Sequence, residues 1–279
     1  MLGRLTARKS ILYYLILIIL SVVMVFPLIW MFLSSLKTTE EIFAVPLEWL
    51  PKIPQWGNFS GALELAPFGL YIFNSTMTAL LIVIFQIILS SMLAYALTQL
   101  EFKGKNLLFN SILMTYMLPA AATYVPSYVI VAKLGLLDTL TGIVISNIAS
   151  VFCVFLLRQA FMQVPKELIE AARLDGASDV SILLKVMMPM SKSSIFTVGL
   201  ISFVQMYNNY LWPSLIVKSQ EKYLITVGLN QFFTSQGTFA SQWPKIMAAN
   251  VLAVIPLLLL FIILQKWFIK GIGDSGLKG

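Results

Sequence analysis

The chain has 279 residues, of which 59% are hydrophobic and only 11% charged, and its mean hydropathy of +0.88 lies outside the range of soluble domains. It has no His and a single Cys, so the usual zinc, haem and thiol-pair sites lack their ligands. The net charge of +7 comes from Lys and Arg spread along apolar borders rather than gathered in a stripe, which argues against a nucleic-acid partner.

A bilayer core about 30 Å thick takes about 20 apolar residues in helical form. Six segments qualify, at roughly 11–35, 69–99, 107–132, 140–160, 194–217 and 246–268. They predict an all-α, polytopic membrane protein with both termini on one side, packed as one domain over 1–279 because no Gly-, Ser- or Pro-rich linker divides it. Arg4, Arg8 and Lys9 precede a first apolar run that is longer than a secretory signal core and lacks a small-x-small cleavage site, so it reads as an uncleaved span. The outer segment that follows, about 37–68, carries Trp49 and Trp56 with Pro46, Pro51 and Pro54 and suits a short element at the interface. Asn58-Phe59-Ser60 within it fits the glycosylation triplet by chance.

Polar residues inside the spans are neutral: Asn74, Ser75, Thr76, Thr78 and Gln86 in the second, Asn147 in the fourth, Gln205, Asn208 and Asn209 in the fifth, and Asn250 in the sixth. Such groups bond helix to helix in many membrane proteins. They also suit a neutral, hydroxyl-rich solute, and Asn74, Asn147, Gln205, Asn208, Asn209 and Trp212 are the candidates for a pathway. Pro119, Pro126, Pro213 and Pro256 break or kink spans, and Trp212-Pro213 is expected to set the bend that positions the two asparagines. Cys153 is expected to pack as a small hydrophobe.

The segment of about 161–193 is too polar to cross a bilayer. It holds Glu170-Ala171-Ala172-Arg173-Leu174-Asp175-Gly176-Ala177, with Pro189 thirteen residues past the glycine. Glu170 to Leu174 favour a helix, Gly176 suits a left-handed end, and Ser178-Asp179 can cap a second helix. The pattern predicts a helix-turn-helix knob with a narrow alanine face, braced by Glu170 and Arg173 three residues apart. Thirteen Lys and Arg fall on the same side as this knob against six on the other, while acidic residues divide evenly, so the positive-inside rule makes the knob and both termini cytoplasmic. Past the sixth span, Gly271-Ile272-Gly273-Asp274-Ser275-Gly276 fits a dinucleotide fingerprint in spelling only, because no strand-helix-strand unit surrounds it.

The 161–193 segment resembles the coupling loop of membrane-spanning permeases in binding-protein-dependent ABC importers. Glu170, Ala171, Ala172, Asp175, Gly176, Ala177 and Pro189 fall on that family's positions, and Ser193 stands where many relatives have a second proline. Met117-Leu118-Pro119 with Pro126, the turn Leu134-Gly135-Leu136-Leu137-Asp138-Thr139, Phe155 to Gln159, Asn208 to Pro213, and the tail from Phe268 resemble the carbohydrate-uptake branch, of the maltose and multiple-sugar type, over nearly the whole chain.

The resemblance implies a type I importer permease, the shorter six-span partner of a second related permease chain. Two ATP-binding subunits would carry ATP and magnesium, so this chain would bind no cofactor, and an extracytoplasmic binding protein would deliver the solute. The resemblance implies a bacterial or archaeal cell membrane, no catalytic residues, and a tail of about 269–279 whose Gly271, Gly276, Lys278 and Gly279 reach the ATPases. The solute is then a sugar or oligosaccharide, or else a sugar derivative such as glycerol 3-phosphate. A secondary carrier predicts ionisable groups at mid-membrane, and a membrane enzyme a cluster of His, Asp or Glu. Neither pattern is present. A channel would leave the coupling loop without a purpose.

Overall fold

The structure is a computed structural model that describes the backbone of residues 7–235 and 242–276, and the side chains of these except 7–10, 12, 120, 235 and 267–276. All regular structure among the described residues is helical. The first part of the chain forms α1 (Ala7–Ser35), the short α2 (Thr39–Ile42) and α3 (Gly57–Leu65), and α4 (Phe68–Gln99). Then come α5 (Lys105–Tyr116), α6 (Ala120–Lys133), α7 (Leu140–Ser146), α8 (Val151–Phe161) and α9 (Lys166–Leu174). α10 (Asp179–Ile182) runs through a π turn into α11 (Met188–Met190), followed by α12 (Lys192–Tyr207), α13 (Leu211–Ile216), α14 (Ile225–Ser235) and α15 (Trp243–Gly276).

Three helices are long and apolar enough to cross a membrane without interruption, at Tyr13–Ser35, Phe68–Gln99 and Trp243–Lys266, and the total reaches six if each of three bent pairs is one span. The break expected at Pro119 is present, whereas the spans read over 140–160 and 194–217 are interrupted or end early. The third is cut at Pro119, which has no amide hydrogen to donate and caps α6 instead. The fourth bends by 47° where Asn147 to Ser150 leave the helix. The fifth ends at Asn208, so residues 211–217 do not continue it, and Pro213 lies inside α13 rather than at the bend. At the other end α15 runs through Gly271 to Gly276, where a tail was expected from 269. Lys278 and Gly279 lie outside the described residues.

By contact the chain divides into two compact units. In the first, which takes the residues up to Phe68 with Phe232–Ile255, the outer segment is held tightly. The Lys37 ammonium donates to the Glu48 carbonyl and sits 4.7 Å over the Trp30 ring, and Trp49 packs edge-on against Trp30 at 5.7 Å. Glu41 accepts from the Thr38 and Lys52 amides, each at 3.0 Å. The Asn58 amide donates to the Ser35 and Lys37 carbonyls at 2.9 and 3.0 Å, which accounts for Asn58 without a glycan. α1 exposes most of its apolar surface, none of the most apolar stretch of its span being buried within the chain.

In the second unit, one apolar cluster gathers Ala94, Tyr95, Cys153, Leu157, Phe161, Ile169, Ile182 and Met187, uniting α4 and α8 with the segment predicted as the knob. Another gathers Ile82, Val131, Ile143, Trp212, Ile216 and Leu224. Gly228 of α14 lies against the Tyr71 ring so closely that a Cβ would come within 2.2 Å of it. Only hydrogen fits there.

Candidate functional site

Two places have the composition of functional sites: the knob and a polar pocket. In the knob, Ile169 is 3% exposed and anchors α9 in the core, while Glu170 and Ala171 face outward. The helix ends as its residues dictate. Gly176 takes φ 78°, its amide donates to the Arg173 carbonyl at 3.0 Å, and the Ala177 amide donates to the Ala172 carbonyl at 3.0 Å. This is the pair of bonds that closes a helix on a left-handed glycine. Ser178 then caps α10 by accepting from the Ser181 amide at 3.3 Å, and Asp179 lies in the first turn, where the helix dipole favours an anion.

The structure corrects two expectations here. Arg173 is paired with Asp179 at 3.8 Å and donates to the Gln99 carbonyl at 3.3 Å, so the brace runs to the next helix and to α4 rather than to Glu170. Asp179 also accepts from the Tyr95 hydroxyl at 2.6 Å. The alanines do not form one outward face either, since Ala172 and Ala177 pack against the core cluster and only Ala171 is exposed. The outward surface instead carries exposed apolar residues among its charges: Leu174 is 89% exposed, and Val180 and Leu184 are exposed in the segment that follows. Sequence reasoning missed these three, although apolar residues in so polar a segment were a visible signal. Pro189, exposed in α11, precedes an 82° bend into α12, which starts at Lys192 without a proline at Ser193.

The pocket has a volume of about 250 Å³ and is lined by Thr123, Tyr124, Ser127, Ser146, Asn147, Asn209 and Trp212. Three interrupted helices meet there. Thr123 to Ser127 lie just past the break at Pro119, Ser146 and Asn147 at the break after α7, and Asn209 at the break after α12. The Trp212 ring stacks on Tyr124 at 5.7 Å, and its indole donates to Ser146 Oγ at 2.8 Å. Asn147 donates to the Ile143 carbonyl at 2.8 Å.

Of the six pathway candidates, the fold brings together Asn147, Asn209 and Trp212. Gln205 and Asn208 are exposed outside the pocket lining. Asn74 is 4% exposed and donates to the Glu221 and Tyr223 carbonyls at 2.9 and 3.1 Å, which makes it a fastener between α4 and the segment before α14.

A third cluster, found only through the structure, holds the turn between α6 and α7. Asp138, at φ 53°, accepts from the Lys218 and Ser219 amides, each at 2.9 Å, from the Ser219 hydroxyl, and from Lys222 at 3.4 Å. Bonds from the Ser219 hydroxyl and the Ser219 and Lys218 amides hold its carboxyl well below the usual carboxylate range. Among the described residues no three His, Cys, Asp or Glu are grouped to hold a metal ion.

The fold matches that of a solved chain, "Crystal structure of a bacterial ABC transporter involved in the import of the acidic polysaccharide alginate", with a TM-score of 0.82 and 24% identity over 96% of this chain and 99% of that one. The sn-glycerol-3-phosphate transport system permease protein UgpE of Pectobacterium atrosepticum is 36% identical over 90% of this chain and 91% of its own length. The arabinooligosaccharides transport system permease protein AraQ of Bacillus subtilis is 28% identical over 93% and 92%. The model of the family described as "Binding-protein-dependent transport system inner membrane component" matches residues 86–274, a stretch that takes in both the knob and the pocket. The chain is a multi-pass membrane protein and belongs to that family of ABC importer permeases.

Proposed function

We propose that the chain is the permease subunit through which a sugar or oligosaccharide passes by alternating access, and that the pocket at the three helix breaks forms part of the passage. The observation that carries this reading is the convergence of the breaks. Non-helical backbone within a bilayer is tolerated only where protein or a water-filled cavity faces it, and here it faces hydroxyls, amides and an aromatic face. The lining is wholly uncharged, as suits a hydroxyl-rich solute. A volume of about 250 Å³ is below the ~300–1,000 Å³ of complete ligand pockets, so a second related permease chain would supply the opposite wall.

The knob, carrying Glu170, Ala171, Asp175 and Gly176 with the apolar Leu174 and Val180, is the surface that docks into an ATP-binding subunit. Two such subunits, which hold ATP and magnesium, would bind one arrangement of paired knobs better than the other and so shift the spans between states. The chain itself needs no cofactor and performs no hydrolysis. Its termini are cytoplasmic in a bacterial or archaeal cell membrane, the end of α15 with Gly271 and Gly276 is a second contact, and an extracytoplasmic binding protein delivers the solute.

The name of the 36% identical relative supports a second solute, glycerol 3-phosphate. Its glycerol hydroxyls fit the same lining, and its phosphate would need a cation from another subunit. Cysteines at 208 and 209 test the passage. Native Cys153 is fully buried and serves as a silent background, so a water-soluble thiol reagent is expected to label position 209 at a rate that changes when ATP is trapped. If position 209 were unlabelled in every state, the pocket would be packing and the reading would fail. Uptake of maltose, an arabinooligosaccharide and glycerol 3-phosphate by the whole complex decides between solutes.

A further inference from the structure

Midway along α4, Gln86 is 3% exposed and joins three elements. Its amide donates to the backbone carbonyl of Asn147 at 2.7 Å. Its oxygen accepts from the Cys153 thiol at 3.7 Å, and the same sulfur lies 3.2 Å from Ser202 Oγ. Cys153 is therefore more than the small hydrophobe its sequence context suggests. The carbonyl that Gln86 holds belongs to the residue that caps α7, where the helix stops and the backbone loses its own partners. Ser150 closes the other side of the break by accepting from the Cys153 amide at 3.2 Å. Ser202 lies on α12, which the 82° bend joins to the segment leaving the knob.

We propose that Gln86 is a positioning residue for transport: it holds the break in the fourth span so that Asn147 faces the pocket, and through Cys153 and Ser202 it ties that break to the helix driven by the knob. The proposal rests on the reading of the pocket as part of the passage. Every partner is buried or half-buried, so losing the amide takes this donor from the Asn147 carbonyl and removes a polar link between α4 and the break. A displacement of α12 then no longer reaches Asn147.

The test uses the complete complex with a cysteine at position 209, across the pocket from Asn147, and a charged thiol reagent as probe. With Gln86 intact, the labelling rate differs between nucleotide-free and ATP-trapped states. In Gln86→Leu, of similar size but unable to bond, that difference is expected to collapse to less than about twofold, within measurement error, while the complex still assembles with its ATPases. A second variant, Gln86→Glu, guards against simple misfolding. A carboxyl buried in apolar surroundings donates to the carbonyl only when protonated, so the state dependence is expected to be strong at low pH and weak at high pH in the same preparation. Wild-type behaviour of Gln86→Leu, or an identical response of Gln86→Glu at both pH values, would assign Gln86 to packing and overturn the proposal. If position 209 is not labelled even with Gln86 intact, the passage reading is what has failed.

Discussion

Gly176 and Asn209 both sit where a helix stops, but the stops are made by different means. At Gly176 every bond that closes the helix lies within six residues: Arg173 to Gly176 and Ala172 to Ala177, followed at once by the Ser178 cap. At the pocket the partners are far apart in the chain, Trp212 with Ser146 across 66 residues and Gln86 with Asn147 across 61. The knob is thus a local object presented outward, and the pocket is a product of packing. A mutation in the first should impair coupling and leave the spans intact. A mutation in the second should loosen the spans themselves.

The strongest way to break that contrast is Trp212→Ala. The ring is buried, stacked on Tyr124 and bonded to Ser146. Its loss should cost roughly 3–5 kcal/mol, as buried aromatics do when truncated, read as a large fall in thermal stability of the purified permease complex. An unchanged melting temperature would mean that the pocket is not held together by packing.

Gly176→Val comes next. Nothing lies within 4 Å of a Cβ at this position, so the expected penalty is conformational alone, roughly 1–2 kcal/mol for an L-residue in the left-handed region. Uptake should fall by about tenfold with membrane insertion preserved, and Gly176→Asn should recover much of it, since asparagine tolerates this conformation. Equal uptake by the valine variant would remove the turn from the coupling surface. Ser178→Ala removes one cap and should cost about 1 kcal/mol, visible as faster hydrogen exchange in α10 alone. A change spread into α4 or α12 would show that the knob is less local than its bonds suggest.

The smallest effect is expected at Asp138, which is partly exposed on the turn between α6 and α7 yet bonded to residues about eighty positions away. Its carboxyl titrates below the usual range because Ser219 and Lys218 donate to it. A depressed folded-state value contributes stability that is present above the unfolded carboxylate range and lost as pH falls through the folded value. Asp138→Ala should therefore speed hydrogen exchange at Lys218 and Ser219 at neutral pH, and the difference from wild type should vanish only in strong acid. A difference that disappeared already at mildly acidic pH would contradict the bonding described for this turn.

The knob was the most legible part of the chain because a helix end is written in neighbouring residues. A glycine in the left-handed region and a serine cap need no distant partner, and both stand where the sequence places them. The interrupted spans were less legible. Pro119 marked one break in advance, having no amide hydrogen to donate, but hydropathy reads Asn147 to Ser150 and Asn208 to Tyr210 as parts of apolar runs, and it cannot weigh a local loss of helix against partners supplied from elsewhere. Trp212-Pro213 was a plausible bend by composition, yet the chain turns before it, since Pro213 fits within the first turn of α13.

Sequence by itself determined the apolar helices and the turn chemistry of the knob, because these depend on transfer into a bilayer and on bonds between near neighbours. Tertiary structure decided which of the polar residues meet. It gathered Asn147, Asn209 and Trp212, spent Asn74 on the carbonyls of Glu221 and Tyr223, moved the brace of Arg173 from Glu170 to Asp179, and set Gln86 behind the pocket. The physical reason is that a buried amide must find a partner wherever the fold brings one within reach, and the sequence does not say which carbonyl that will be.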